Sequence, residues 1–167
     1  MNLPGCRAVA GWALLAALCG CVRAAPSGNA WRSSLYLPVA GAVPLSPLEG
    51  KVVLVKFLAT WCFPCLSELA QVEALQQRYG NRGFTVVAVG MDREGTLVLR
   101  PFAEHYHLSF PVVVADERMR AGETPFGLVS SLPTTVLLAR DGRVLAAWQG
   151  VAPPEPQDEL IEKALKE

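Results

Sequence analysis

The feature that most limits the folds open to this chain is an apolar run, residues 51–59, separated from a dithiol only by Thr60 and Trp61. Val52, Val53, Leu54 and Val55 are mostly β-branched, and residues 51–58 have the length and composition of a core strand. Leu66, Leu69, Val72, Leu75 and Tyr79 then recur at helical spacing, so residues 66–79 read as a helix that Gly80 and Gly83 stop. Cys62-Phe63-Pro64-Cys65 therefore falls at a strand-to-helix turn. Pro64 suits the first helical turn, where its missing N–H would have no partner anyway. Cys62 lies at or just before the helix N-terminus, where unpaired N–H groups and the macrodipole stabilise an anion. Such a setting lowers a thiol pKa from about 8.5 into the range of about 3.5–7.5. The pair reads as a redox site.

Such a pair has two other possible uses, a metal site and a structural bridge. A zinc site needs a second Cys or His pair at similar spacing. Cys6, Cys19 and Cys21 all precede Val22, and His105 and His107 are spaced wrongly for one helix face, so no metal is expected. A purely structural disulfide is compatible with an exported protein. So short a loop, however, restrains the unfolded chain little.

The remaining pattern places further elements around this unit. Residues 84–89 read as a second buried strand. Residues 96–107 read as a helix with Leu99, Phe102, Ala103 and Tyr106 as its stripe, and Pro101 in its first turn moves the start later. Residues 111–115 form a short strand, and residues 119–130 a turn with a short helix around Pro125 and Gly127. Residues 134–139 and 144–148 read as a hairpin, because Asp141-Gly142 favours a tight primed turn. Residues 155–166 form a terminal helix whose apolar face is Leu160, Ile161, Ala164 and Leu165. This order gives an α/β fold, a mixed central sheet with helices on both faces, and puts the dithiol at the carboxyl end of a central strand.

With 167 residues and 51% apolar content the chain can form one packed domain. Fifteen basic and fifteen acidic residues are scattered without a basic stripe, so no nucleic-acid partner is expected.

The N-terminus carries an export signal. Arg7 precedes an apolar stretch, residues 8–18, too short to span a bilayer but suited to the core of a signal peptide. Leu18-Cys19-Gly20-Cys21 resembles a bacterial lipobox, with Cys21 as the lipidated residue and Cys19 atypical within it. Cleavage after Ala24 or an uncleaved anchor are the alternatives. The expected organisation is a signal peptide over residues 1–24 with the lipobox ending at Cys21. A tether over residues 25–34 and a domain over residues 35–167 follow, with residues 35–48 as a strand or hairpin at a sheet edge. In each case the dithiol lies outside the cytoplasm, and lipidation leaves Cys62 and Cys65 as the only free thiols.

The segment Phe57-Leu58-Ala59-Thr60-Trp61-Cys62-Phe63-Pro64-Cys65, followed by Leu132-Pro133-Thr134-Thr135 and Asp141-Gly142, resembles the thioredoxin superfamily. The spelling of residues 59–62 and the run from Gly50 to Val55 look most like its TlpA/ResA-like branch of exported thiol-disulfide reductases. The resemblance covers about residues 35–166. It implies a thioredoxin-like three-layer fold, with Cys62 as a partly exposed nucleophile and Cys65 as a more buried resolving thiol. Trp61 would be an aromatic lid beside the sulfurs, Pro64 would stiffen the turn, and Pro133 would be a cis-proline opposite the dithiol. Leu132 would then offer its N–H and C=O to an extended substrate segment.

Glu68, one turn after Cys65, resembles a glutamate of this branch. It would accept the buried thiol's proton or raise its pKa; the alternative is a solvated helix glutamate. Lys56 departs from the family, which has a buried acid or an amide there. Its ammonium is expected either to snorkel past the sheet end or to stabilise a thiolate and make the disulfide more oxidising.

The resemblance implies an extracytoplasmic thiol-disulfide oxidoreductase that reduces exported proteins such as apocytochromes c. Electrons would come from a membrane thiol-disulfide transporter. No organic cofactor is needed because the dithiol carries two electrons, and a monomer is expected. A disulfide-donating oxidant and a copper-handling or redox-inert binding module are the alternatives.

Overall fold

A computed structural model describes residues 48–167. The expectations for the signal peptide, Cys21, the tether and nearly all of the residue 35–48 segment lie outside these residues. The elements are β1 (Val52–Leu58), α1 (Phe63–Ser67), α2 (Leu69–Tyr79), β2 (Phe84–Gly90), α3 (Thr96–His105), β3 (Val112–Val114), α4 (Glu117–Arg120), β4 (Thr134–Leu138), β5 (Val144–Gln149) and α5 (Pro154–Lys166).

The five strands form one mixed sheet in the order β3-β2-β1-β4-β5. β1 and β2 pair in parallel, as do β2 and β3, while β4 runs antiparallel to both β1 and β5. β1 thus has a strand on each side, and all seven of its residues are buried.

Strand alternation sorts the core into two layers. Leu54, Leu58, Val86, Ala88, Val112 and Leu137 face one way, against Leu69, Val72, Leu75 and Tyr79 of α2, Leu99 and Phe102 of α3, and Ile161 and Ala164 of α5. Val53, Val55, Phe57, Val87, Val89 and Val136 face the other way, against Met119 of α4 and the irregular segment carrying Phe126 and Val129. Helices cover both faces, as expected, but unequally: α1, α2, α3 and α5 on one and the single short helix α4 on the other.

Several local expectations are corrected. The helix after the dithiol begins earlier, at Phe63, and divides at Glu68. The helix containing Pro101 starts at Thr96, so Pro101 sits in its second turn rather than its first. Its absent N–H would have met the carbonyl of Leu97, so the helix gives up that one hydrogen bond. The short helix α4 lies at Glu117–Arg120, where Asp116 caps it by accepting from Met119 N–H at 2.8 Å, and not around Pro125. Asp-Gly does close the β4–β5 hairpin, but with only Gly142 at positive φ. Gly142 N–H donates to Ala139 O, and Ala139 N–H to Arg143 O. The turn is therefore a three-residue loop ending in a left-handed glycine, not a two-residue primed turn.

Gly90, at the end of β2, sets how closely α3 approaches the sheet. A Cβ there would overlap Leu99 Cδ1. Gly90→Ala is expected to destabilise the protein by about 1–3 kcal/mol through overpacking. In urea unfolding the midpoint should fall with the slope unchanged, and the double variant Gly90→Ala/Leu99→Ala should lose less than the two single losses added together.

Candidate active site

β1 delivers the chain to the site through a tight turn in which Cys62 N–H donates to Ala59 O at 3.0 Å. Cys62 has extended backbone geometry (φ −85°, ψ 95°) and caps α1, its Sγ accepting from Cys65 N–H at 3.2 Å. Pro64 occupies the first helical turn, as its missing donor predicts. Cys62 and Cys65 form a disulfide.

Because the helix divides at Glu68, α1 spans only five residues. The anion-favouring field at Cys62 is therefore that of nearby N–H groups, chiefly Cys65 N–H, rather than of a long helix dipole.

Cys65 is 1% exposed, and Cys62, expected to be partly exposed, is only 4% exposed. Access to Cys62 comes from one side. A groove of about 510 Å³ is lined by Trp61, Cys62, Phe63, Pro64, Met91, Val129, Ser130, Ser131 and Leu132, and Cys65 is not among these residues. Trp61 and Phe63 are 70% and 83% exposed, so Trp61 is a surface flank of the sulfurs and not a core aromatic. Every lining residue is uncharged.

The Leu132–Pro133 peptide is cis, as the resemblance implied, and Leu132 reaches the groove beside Cys62. Pro133 O accepts from Gly150 N–H at 2.7 Å, which anchors this loop to β5. Thr134 Oγ1 donates to Ser131 O at 2.8 Å and closes the loop from within.

Beneath the dithiol lies a buried polar cluster. Lys56 projects from β1 on the same face as Leu54 and Leu58, which share a core layer with Cys65. Its Nζ donates to Glu68 Oε2 at 2.6 Å and to Thr135 Oγ1 at 3.0 Å. Glu68 Oε1 accepts from Ala152 N–H at 2.9 Å.

Lys56 and Glu68 are 2% and 3% exposed, so Lys56 does not snorkel and Glu68 is not a solvated helix residue. Burial pushes the Lys56 ammonium down from its ordinary value, while the hydrogen bond and charge of Glu68 pull it back up. Lys56 directs its charge at Glu68 rather than at the sulfurs. Removing one member of such a pair costs about 3–5 kcal/mol, because the other is left buried and unmatched.

One residue of this region escaped the sequence reading. Asp92, buried just after β2, accepts from Thr60 N–H with both oxygens at 3.1 Å and from Thr60 Oγ1 at 2.6 Å. Arg120 Nη2 donates to Asp92 O at 2.9 Å. Asp92 therefore pins the turn carrying Trp61 and Cys62, and holds its own neighbour Met91 in the groove wall. In the sequence it is one aspartate in a glycine-flanked loop, and nothing local marks it.

A dithiol at the carboxyl end of a central parallel strand, facing a cis-proline loop across a groove, is the arrangement of a protein thiol-disulfide oxidoreductase. Residues 39–165 match the Redoxin family, and the chain belongs to that family.

The chain is 30% identical over 123 residues to the thiol-disulfide oxidoreductase ResA of Bacillus thuringiensis subsp. konkukian, covering 72% of this chain and 68% of that protein. It is 37% identical over 110 residues to the ResA of Oceanobacillus iheyensis, covering 65% of this chain and 54% of that one. Among solved structures, a thiol:disulfide interchange protein of the thioredoxin family from Chlorobium tepidum TLS superimposes with a TM-score of 0.61 at 28% identity. That match covers 71% of this chain and 82% of the other. The thioredoxin-like fold and the TlpA/ResA-like branch expected from the sequence agree with these matches.

Asp92→Ala removes the acceptor for both Thr60 donors and is expected to cost about 2–4 kcal/mol, from two hydrogen bonds to a charged group. Asp92→Asn keeps one acceptor oxygen and should cost less. Urea unfolding gives the stability, and the rate at which Cys62 forms mixed disulfides reports whether the turn has loosened.

Proposed function

We propose that this protein reduces disulfides of exported proteins outside the cytoplasm. The Cys62–Cys65 couple is its electron carrier, and a membrane thiol-disulfide transporter is its electron source. The chemistry needs no organic cofactor, since the couple itself stores two electrons.

The cycle is written from the reduced dithiol. Cys62 thiolate attacks one sulfur of the substrate disulfide, forming a mixed disulfide and releasing the other sulfur as a thiolate that takes up a proton. Cys65 then loses its proton and attacks Cys62 Sγ. The second substrate sulfur leaves and is protonated, and the Cys62–Cys65 disulfide remains. Two electrons and two protons have passed to the substrate.

The observation that carries the reductive direction is the placement of Lys56. Its ammonium is engaged by Glu68 and Thr135, and the polar contact of Cys62 Sγ is Cys65 N–H. Both sulfurs are nearly buried. A thiolate without a cation beside it gains little in the reduced state, and a couple whose reduced state is poorly stabilised gives up electrons readily.

The groove supports the substrate class. Its uncharged lining, exposed Trp61 and Phe63, and the Leu132 backbone suit an extended segment with an apolar residue next to its cysteine. Within that class, the oxidised Cys-x-x-Cys-His segment of an apocytochrome c is the substrate we assign, on the resemblance to the TlpA/ResA-like branch.

Export and lipid attachment through Cys21 rest on residues 1–24. Among the described residues no helix is long and apolar enough to cross a membrane.

Equilibration with glutathione should place the couple near thioredoxin's value of about −270 mV, whereas about −120 mV would identify a disulfide donor instead. In the full chain, Cys65→Ser should hold an oxidised apocytochrome segment as a stable mixed disulfide on Cys62. Formation of that adduct should change little between low and physiological salt, because no charged side chain lines the groove. A steep salt dependence would show that recognition uses charge elsewhere on the surface.

A further inference from the structure

The groove beside Cys62 is built from three stretches of chain: residues 61–64 of the dithiol turn, Met91 after β2, and residues 129–132 before β4. Its width depends on what holds these stretches together. Asp92 joins the first two, since its carboxylate accepts from both Thr60 donors while its neighbour Met91 stands in the wall. The third stretch is reached from α4. Arg120, the last residue of α4, donates from Nη2 to Asp92 O at 2.9 Å.

The segment between Arg120 and the groove is folded onto itself, so a contact made by α4 is felt at the wall. Gly122 has φ +74°, and a Cβ there would come 2.8 Å from Leu128 N. Gly127 N–H donates to Thr124 O at 2.9 Å, and Phe126 packs edge-on against Phe57 of β1 with ring centroids 5.2 Å apart. Met119 of α4 is buried in the same apolar layer against which Met91, Val129 and Leu132 pack. Glu117, which also contacts the Arg120 guanidinium, is 93% exposed and 3.3 Å away, so water competes for that contact.

We propose that Arg120 is a positioning residue for substrate binding. Through Asp92 it ties the Leu132 wall of the groove to the dithiol turn, and so fixes the distance between Cys62 and the backbone that receives an extended substrate. Arg120 is not among the residues lining the groove. A guanidinium suits this role, because its planar, permanently charged fork holds a carbonyl in one direction. Loss of the tie leaves the dithiol chemistry in place but lets the two walls drift apart, which weakens binding of a segment that must touch both.

This inference rests on the extended-substrate part of the proposed function and not on the direction of electron flow. The experiment follows single turnovers of the prereduced full chain with two disulfides. One is an apolar peptide closed by a Cys-x-x-Cys disulfide; the other is hydroxyethyl disulfide, which has no backbone to pair with Leu132. In the parent chain the rate should saturate with peptide. A parent that does not saturate defeats the extended-substrate reading and the tie together, whereas an effect absent only from the variants defeats the tie alone.

In Arg120→Met the peptide concentration giving half the limiting rate should rise about fivefold or more, the scale of one lost hydrogen bond, with the limiting rate within about twofold of the parent. The rate with hydroxyethyl disulfide should also stay within about twofold. Arg120→Lys keeps a donor for Asp92 O and should restore most of the peptide binding, while Glu117→Gln should change neither constant.

If Arg120→Met does not fold, Thr60→Val removes the hydroxyl at the far end of the tie. It should raise the same half-saturating concentration without lowering the limiting rate. An unchanged half-saturating concentration, or equal losses with the peptide and the small disulfide, would overturn the proposal. So would an Arg120→Lys variant as impaired as Arg120→Met.

Discussion

Lys56 is committed to the interior by its strand. β1 has a partner on each side and packed layers above and below, so the ammonium on its fifth residue has no route to water. Something must meet that charge, and the groups that do so come from three other parts of the chain. Glu68 lies between α1 and α2, Thr135 is on β4, and Ala152, which binds the second oxygen of Glu68, precedes α5. One buried pair thereby joins the pieces that surround the dithiol.

Relative magnitudes explain why this contact matters more than the surface ones. The exposed pairs Arg78–Asp158 and Arg82–Glu162 also link α2 and the turn that follows it to α5, but water screens pairs of that kind and they contribute little. A buried pair broken on one side costs several times that, through the desolvated charge left behind. The interior pair therefore constrains where β1, the dithiol helix and α5 sit relative to one another, while the surface pairs follow that arrangement. The same separation divides the labour at the site. Charge is handled below the sulfurs and balanced there, whereas the groove above them is uncharged and presents aromatic faces and backbone.

Much of this was legible in the chain itself, for identifiable reasons. β1 and β2 are marked by β-branched runs, and α2, α3 and α5 by apolar residues at helical spacing. Each of these signals is local, because burying a face requires a period. The dithiol and its turn were legible because Pro64, Trp61 and the two cysteines are adjacent in sequence. The cis-proline was readable only through resemblance, since nothing in residues 131–135 alone distinguishes it from a trans proline at a strand start. Errors arose where a tertiary contact outweighed a local preference. Pro101 is accommodated in a second turn, the hairpin takes a wider loop than Asp-Gly suggests, and Cys62 is more enclosed than a nucleophile's role implied. Asp92 was missed because its partner, Thr60, is brought to it only when β1 and β2 pair.

The amino-acid sequence by itself determined the order of strands and helices, the dithiol at the end of a central strand and the chemistry such a dithiol performs. Those follow from periodicity and from residues that are neighbours along the chain. The tertiary structure decided what surrounds the sulfurs: that Lys56 meets Glu68 instead of solvent or a thiolate, that Asp92 clamps Thr60, and that the groove carries no charge. These depend on residues separated by tens of positions coming within hydrogen-bonding distance. A one-dimensional pattern cannot specify which buried charge will face which partner until the strands between them are in register.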